Sequence, residues 1–129
     1  MKLNATGAFE VKTTPLPPDP SRPGAFPRLA IDKTFTGDLL GTAAGEMTAF
    51  QSAAGSAYVA LDRFTGSLLG KQGSFLLTHV GTMRPGEMRL EVKVVPGSAT
   101  DALAGLEGTL TIRIEAGAHF YVFEGTLDA

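Results

Sequence analysis

The sequence predicts an all-β domain: about eight strands in an up-and-down antiparallel meander that closes into a barrel. Apolar residues recur at every second position in stretch after stretch, which is strand spacing and not helix spacing. Turn-forming residues fall between those stretches. The composition includes 16 glycines and 8 prolines among 129 residues, which suits many strands and tight connections. A chain of this length forms one domain, 1–129. Its 43% hydrophobic and 19% charged residues are the balance of a packed core and not of a disordered chain.

Taken in order, Ala5–Val11 opens the meander. The segment 14–28 follows and holds six of the eight prolines: Pro15, Pro17, Pro18, Pro20, Pro23 and Pro27. Proline removes ladder donors, so this segment reads as a loop between the first two strands, either a lid or a plain surface loop. Lys33–Asp38 leads to a turn at Asp38–Gly41. Glu46, Thr48 and Phe50 alternate up to a turn at Ala53–Gly55. Tyr58, Ala60, Asp62 and Phe64 share one strand face, and Gly70–Gly73 turns the chain into Phe75, Leu77 and His79. Arg84-Pro85-Gly86-Glu87 is a strong turn because proline sets its first corner and glycine accepts positive φ at the next. Met88, Leu90, Val92 and Val94 alternate with Arg89, Glu91 and Lys93. The stretch 96–105 breaks the rhythm: Ser98 or Thr100 is placed to cap a short helical turn near 98–105 that Gly105 stops. Leu110, Ile112 and Ile114 alternate with polar residues, and Ala116-Gly117 precedes His119, Tyr121 and Phe123. Closure removes the two long edges such a meander otherwise exposes; an open sandwich is the alternative.

Several functions are set aside by what the chain lacks. The 11 basic residues are scattered and the net charge is -2, so there is no positive footprint for nucleic acid. Without cysteine there is no disulfide framework, thiolate nucleophile or cysteine metal site. His79 and His119 are the only histidines and form no ligand-spaced pair, so neither a metal nor another cofactor is expected. No phosphate-cradling glycine loop and no serine nucleophile elbow occurs. No apolar stretch reaches the roughly 20 residues that span a membrane. The first residues do not read as a secretory signal, so a cytoplasmic location is the default.

Five polar side chains are candidates for a barrel interior: Glu46, Tyr58, Asp62, His79 and Tyr121. His79 follows Phe75 and Leu77 on one face, which suits a hydrogen-bond anchor or a neutral general base; the plain alternative is a core histidine satisfied by a neighbour. A hairpin turned near Gly70–Gly73 brings Asp62 and Tyr58 toward His79, and a carboxylate there orients the ring. A one-residue slip sends the same groups to opposite faces. Glu46 shares a face with Thr48 and Phe50; buried, it is a lone acid–base group, and exposed, an ordinary strand carboxylate. Tyr121 lies between His119 and Phe123 on its face. Arg89, Glu91, Lys93, Arg113 and Glu115 read as solvated pairs.

Three longer patterns carry a resemblance. Gly70-Lys71-Gln72-Gly73-Ser74-Phe75 continues to His79 and Gly81. Val94-Val95-Pro96-Gly97-Ser98 continues to Leu103-Ala104-Gly105-Leu106. Leu61-Asp62-Arg63-Phe64-Thr65-Gly66 precedes both. With Ala5–Val11 and Lys33–Asp38, these resemble the bacterial domain-of-unknown-function family 3224, over most of the chain. That family is similar in fold to allene oxide cyclase and the dirigent proteins, so the resemblance implies an eight-stranded barrel and no assigned activity. Asp62, Lys71 and Thr78 stand where Glu, Arg and Gln are common in the family, and the shorter carboxylate at 62 alters what it reaches.

Three functions fit such a barrel. It binds a small apolar or amphipathic molecule in its interior; or it is a cofactor-free isomerase or cyclase with one buried acid–base group; or it is a structural module that forms homo-oligomers.

Overall fold

The computed structural model describes residues 1–128. Eight antiparallel strands run in chain order around a closed barrel. They are β1 (Lys2–Pro15), β2 (Arg28–Gly37), β3 (Leu39–Ser52), β4 (Gly55–Leu68), β5 (Lys71–Arg84), β6 (Glu87–Val94), β7 (Glu107–Glu115) and β8 (Ala118–Thr126). β1 pairs with β2 on one side and β8 on the other, which closes the ring. The ladders are long on most of the circumference; β3 and β4 pair from Leu39↔Leu68 to Ser52↔Gly55. Between β6 and β7 the ladder narrows to the single pair Lys93↔Thr109.

Alternation decides which side chains enter. Phe9, Phe35, Phe64, Phe75, Tyr121 and Phe123 come from five strands and form the buried aromatic belt. Neighbouring rings are close: Phe9–Phe35 centroids lie 5.1 Å apart, Phe35–Phe64 5.5 Å and Phe64–Phe75 4.9 Å. Such ring pairs add about 0.5–1.5 kcal/mol each beyond burial of their area.

The two ends of the barrel differ. At one, Leu3, Leu39, Leu68, Leu103, Leu106 and Leu127 are buried and plug the interior. Leu103 belongs to the 3-10 turn Asp101–Leu103, within the stretch where the sequence places a helical turn. Thr100 stands at its N-cap, and the Leu103 amide donates to the Thr100 carbonyl at 3.0 Å, but no side chain makes a capping hydrogen bond. β6 ends at Val94, opposite Leu77, so the first residues of β5 have no strand on that flank. The connection fills the gap: Thr100 Oγ1 accepts from the Ser74 amide at 3.1 Å, Ser98 Oγ accepts from the Leu76 amide at 3.0 Å, and the Thr100 amide donates to the Ser74 carbonyl at 2.9 Å. Gly73 permits this approach, since a Cβ there would lie 2.4 Å from the Thr100 carbonyl oxygen.

The other end carries the proline-rich loop and the hairpins β3–β4, β5–β6 and β7–β8. The β1–β2 ladder takes in Pro15↔Leu29, and Arg28 pairs with β3, which leaves residues 16–27 as the loop. The Leu16 amide donates to the Arg28 carbonyl at 2.9 Å and clamps its base. Residues 17–27 are exposed, Phe26 among them at 62%, so the loop lies as a surface feature and no side chain of it seals the barrel. Inward-facing residues at this end stay open to solvent: Val11 at 37%, Met88 and Ile114 at 53% each. This end is a mouth. No helix among the described residues is long and apolar enough to cross a membrane.

Candidate functional site

Beneath the mouth, three ionisable side chains meet in the buried interior. Lys33 comes from β2, Asp62 from β4 and His79 from β5. Lys33 Nζ lies 2.9 Å from Asp62 Oδ2, His79 Nε2 lies 3.3 Å from Asp62 Oδ1, and Lys33 Nζ lies 3.2 Å from His79 Nε2. The Phe9 ring is under the ammonium, 5.5 Å from Nζ to its centroid. β3 runs between Lys33 and Asp62. Its facing residues are Ala43, opposite Lys33, and Gly45, opposite Asp62. A Cβ at Gly45 would lie 2.6 Å from Asp62 Cβ, so the missing side chain leaves the passage through which lysine reaches its carboxylate.

The electrostatics follow from the contacts. Burial opposes ionisation of Asp62, but the His79 hydrogen bond and the Lys33 charge outweigh it and hold the carboxyl below its usual range. Oδ1 faces the imidazole. Oδ2 is sealed from solvent and, although paired in charge with Lys33, has no hydrogen bond of good geometry. A ring proton on Nε2 gives Oδ1 a donor and lets Lys33 neutralise Oδ2. A proton on Nδ1 instead would face the Nε2 lone pair against Oδ1. The Lys33 ammonium can only donate, so its contact needs the Nε2 lone pair, whereas the contact to Oδ1 needs a proton on Nε2; the two bonds belong to different tautomers of His79. Nδ1 makes no hydrogen bond among the described residues.

Tyr58 lies four residues from Asp62 on the same face, two steps nearer the mouth. Its ring crosses Gly81, where a Cβ would lie 2.5 Å from Cε1. Burial raises its phenol above the ordinary value, and the Asp62 charge adds to this, so the hydroxyl stays protonated and able to donate. Ala60, Met47, Leu90 and Ile112 are the half-buried apolar residues of the same level.

The sequence therefore placed Tyr58, Asp62 and His79 together, and the register Ala60↔His79 is what allows it. Glu46 and Tyr121 fall elsewhere. Glu46 projects from the outer wall and pairs with Arg28 at 3.0 Å, both side chains exposed. Its even-numbered face of β3 is outward because Leu39, Ala43 and Gly45 take the inward one. Tyr121 does face inward, but at the plugged end. Its hydroxyl accepts from the Leu39 amide at 2.8 Å and donates to the Thr36 carbonyl at 2.9 Å. Burial raises its phenol, against a lowering contribution from the Leu39 hydrogen bond. Lys33 was absent from the candidates, although Ile31-Lys33-Phe35 places a lysine on an apolar face and is the signal for it. The trio is a poor metal site: Lys33 holds the position a cation would take, and no group of three ligating side chains occurs among the described residues.

An eight-stranded antiparallel barrel with a charged trio under one open end defines the class. The chain belongs to the family described as "Protein of unknown function (DUF3224)", whose profile matches residues 5–124. It is similar to a solved structure of a DUF3224 family protein of unknown function from Shewanella oneidensis MR-1. The two share 41% identity over 100% of this chain and 99% of the other, with a TM-score of 0.90. A comparison with curated proteins finds no match. The likeness to allene oxide cyclase and the dirigent proteins stays an expectation.

Proposed function

We propose that the mouth of the barrel binds a small amphipathic molecule, with its polar end toward Tyr58 and His79. One observation carries this reading: a buried, mutually paired Lys33–Asp62–His79 trio underlies a layer of inward-facing apolar residues that remain open to water. A barrel built only for stability closes both ends, because exposed interior apolar surface contributes nothing to folding. Concave apolar surface with a few converging polar groups is the usual form of a small-molecule site. The test uses 1-aminoanthracene, a neutral fluorophore that brightens in apolar surroundings. Enhancement by the wild-type barrel and its loss in Ala60→Trp, which fills the level above the trio, is the expected result. Equal enhancement in both proteins, or none in either, rejects the mouth as a site.

A second reading rests on the Asp62–His79 contact. In the tautomer in which Nε2 donates to the carboxylate, Nδ1 holds a lone pair and can take a proton from a bound molecule and return it elsewhere, as a cofactor-free isomerase or cyclase requires. His79→Gln then keeps binding and loses turnover. A His79→Gln variant with undiminished turnover removes the catalytic reading and leaves the binding one.

A further inference from the structure

We propose that the outer wall of the barrel carries a second binding site, beside the tips of the β3–β4 and β5–β6 hairpins, for an aromatic monocarboxylate: a flat apolar ring system with one carboxylate. This site does not depend on the mouth being one.

The wall there is a trough. Phe50, Ala57, Thr82 and Arg89 form one rank across β3, β4, β5 and β6, each paired with the next. The two end residues are long and the two middle ones short, so the rank is high at its ends and low between them. Three strand spacings, about 14 Å, separate those ends. Toward the hairpin tips the trough continues over Gly55 and Arg84. A Cβ at Gly55 would lie 2.6 Å from the Met83 carbonyl oxygen, so the missing side chain is what lets β4 approach β5 here. Ser52 holds the tip in place: its hydroxyl donates to the Gly55 carbonyl at 3.0 Å and accepts from the Gly55 amide at 3.2 Å. Together these residues line one cavity of about 620 Å³, within the size range of small-molecule sites.

The lining chooses the ligand. At one end Phe50 is 52% exposed and stacks on no other ring among the described residues. At the other end stand two guanidinium groups. Arg89 Nε lies 2.9 Å from Glu87 Oε1, which neutralises that carboxylate and leaves the terminal N–H groups of Arg89 uncommitted. Arg84 makes no ion pair among the described residues. The lining thus holds one positive charge in excess, from two arginines and one glutamate. One charge matches one carboxylate, and the planar guanidinium fork meets both of its oxygens. A phosphate monoester brings about two negative charges and finds one cation without a partner. A fused two-ring body fits over Ala57 and Thr82 against Phe50 while its carboxylate reaches Arg84 and Arg89.

The probe is 2-naphthoate, whose fluorescence anisotropy reports binding without interference, because the chain has no tryptophan. The wild-type barrel is expected to bind it, and to bind 2-naphthamide, which has the same rings and no charge, at least about tenfold more weakly. Arg84→Gln should weaken 2-naphthoate binding at least about tenfold, and Phe50→Ala about fivefold. Both positions are exposed, so neither change disturbs the core. Ala60→Trp, which fills the mouth, should leave 2-naphthoate binding unaltered. No binding by the wild type, or undiminished binding by Arg84→Gln, overturns the site. Loss in Ala60→Trp with retention in Phe50→Ala puts the ligand in the mouth and overturns the trough. Equal binding of 2-naphthamide overturns the carboxylate, and displacement of 2-naphthoate by an equal concentration of inorganic phosphate overturns the aromatic body.

Discussion

The two tyrosines occupy opposite ends of the same barrel and contrast its two halves. Both face inward, and both lie across a glycine on the neighbouring strand, Tyr58 over Gly81 and Tyr121 over Gly7. Burial raises both phenols. Yet the Tyr121 hydroxyl is tied to the backbone at Leu39 and Thr36, while the Tyr58 hydroxyl has no hydrogen bond among the described residues. The same local motif thus closes one end and furnishes the other. The difference lies in what stands above each ring: leucines and the docked 3-10 turn at one end, solvent at the other.

The border between the halves is the charged trio, and substitutions there should have the largest effects. Asp62→Asn leaves the Lys33 ammonium buried without a counter-charge and should cost about 3–5 kcal/mol in urea unfolding. Adding Lys33→Met should recover most of the loss. A loss well under about 1 kcal/mol would place the trio in the open half. The same carboxylate predicts a pH dependence. Its folded pKa lies below the ordinary aspartate value of 3.8, so the folded state favours the ionised form. That stabilisation is complete above the unfolded value, fades as pH falls through the folded one, and is missing from Asp62→Asn/Lys33→Met.

The glycines under the tyrosines sharpen the contrast further. Gly7→Ala puts a Cβ 2.1 Å from the Thr36 carbonyl oxygen, where only backbone can yield, and should cost about 3 kcal/mol. At Gly81 the atoms met first belong to the half-buried Tyr58 ring and not to backbone; Gly81→Ala should cost less than about 1 kcal/mol. Equal costs would mean that the mouth is packed as rigidly as the plugged end. Tyr121→Phe orphans the Leu39 amide and should cost about 1–3 kcal/mol, whereas Tyr58→Phe should be nearly neutral. The smallest effect is spectroscopic. With Tyr121 replaced by Phe and no tryptophan in the chain, absorbance near alkaline pH follows Tyr58 alone. Its midpoint should sit above the ordinary tyrosine value of 10.0 and move down, though not all the way, when the Asp62 charge is removed.

Much of this was legible in the sequence because strand faces repeat every second residue. Tyr58, Asp62 and Phe64 fall on one face by counting alone, as do Phe75, Leu77 and His79, and one glycine turn sets them side by side. Counting fails where a face is not marked. β3 presents Gly41, Ala43 and Gly45 inward, too small to signal a core, so the side of Glu46 was undetermined until its neighbours were placed. Counting also gives a face but not a height, which is why Tyr121 reads like Tyr58 and sits at the other end. Lys33 depended on contacts across an intervening strand. No local pattern encodes the gap at Gly45 that lets an ammonium through.

The barrel closes by pairing its first strand with its last, so Met1 and Leu127 meet, the Leu127 amide donating to the Met1 carbonyl at 2.9 Å. The polypeptide is in effect a ring whose cut happens to fall at the plugged end. A short linker joining residues 1 and 128, with new termini opened between Pro18 and Asp19 in the exposed loop, would move that cut to the mouth and keep every strand pair. In such a circular permutant the order of synthesis would run from β2 to β1, with the β8–β1 junction built as a covalent hairpin. Comparing its folding rate with that of the original chain would reveal whether the final ring-closing pairing limits how fast the barrel forms.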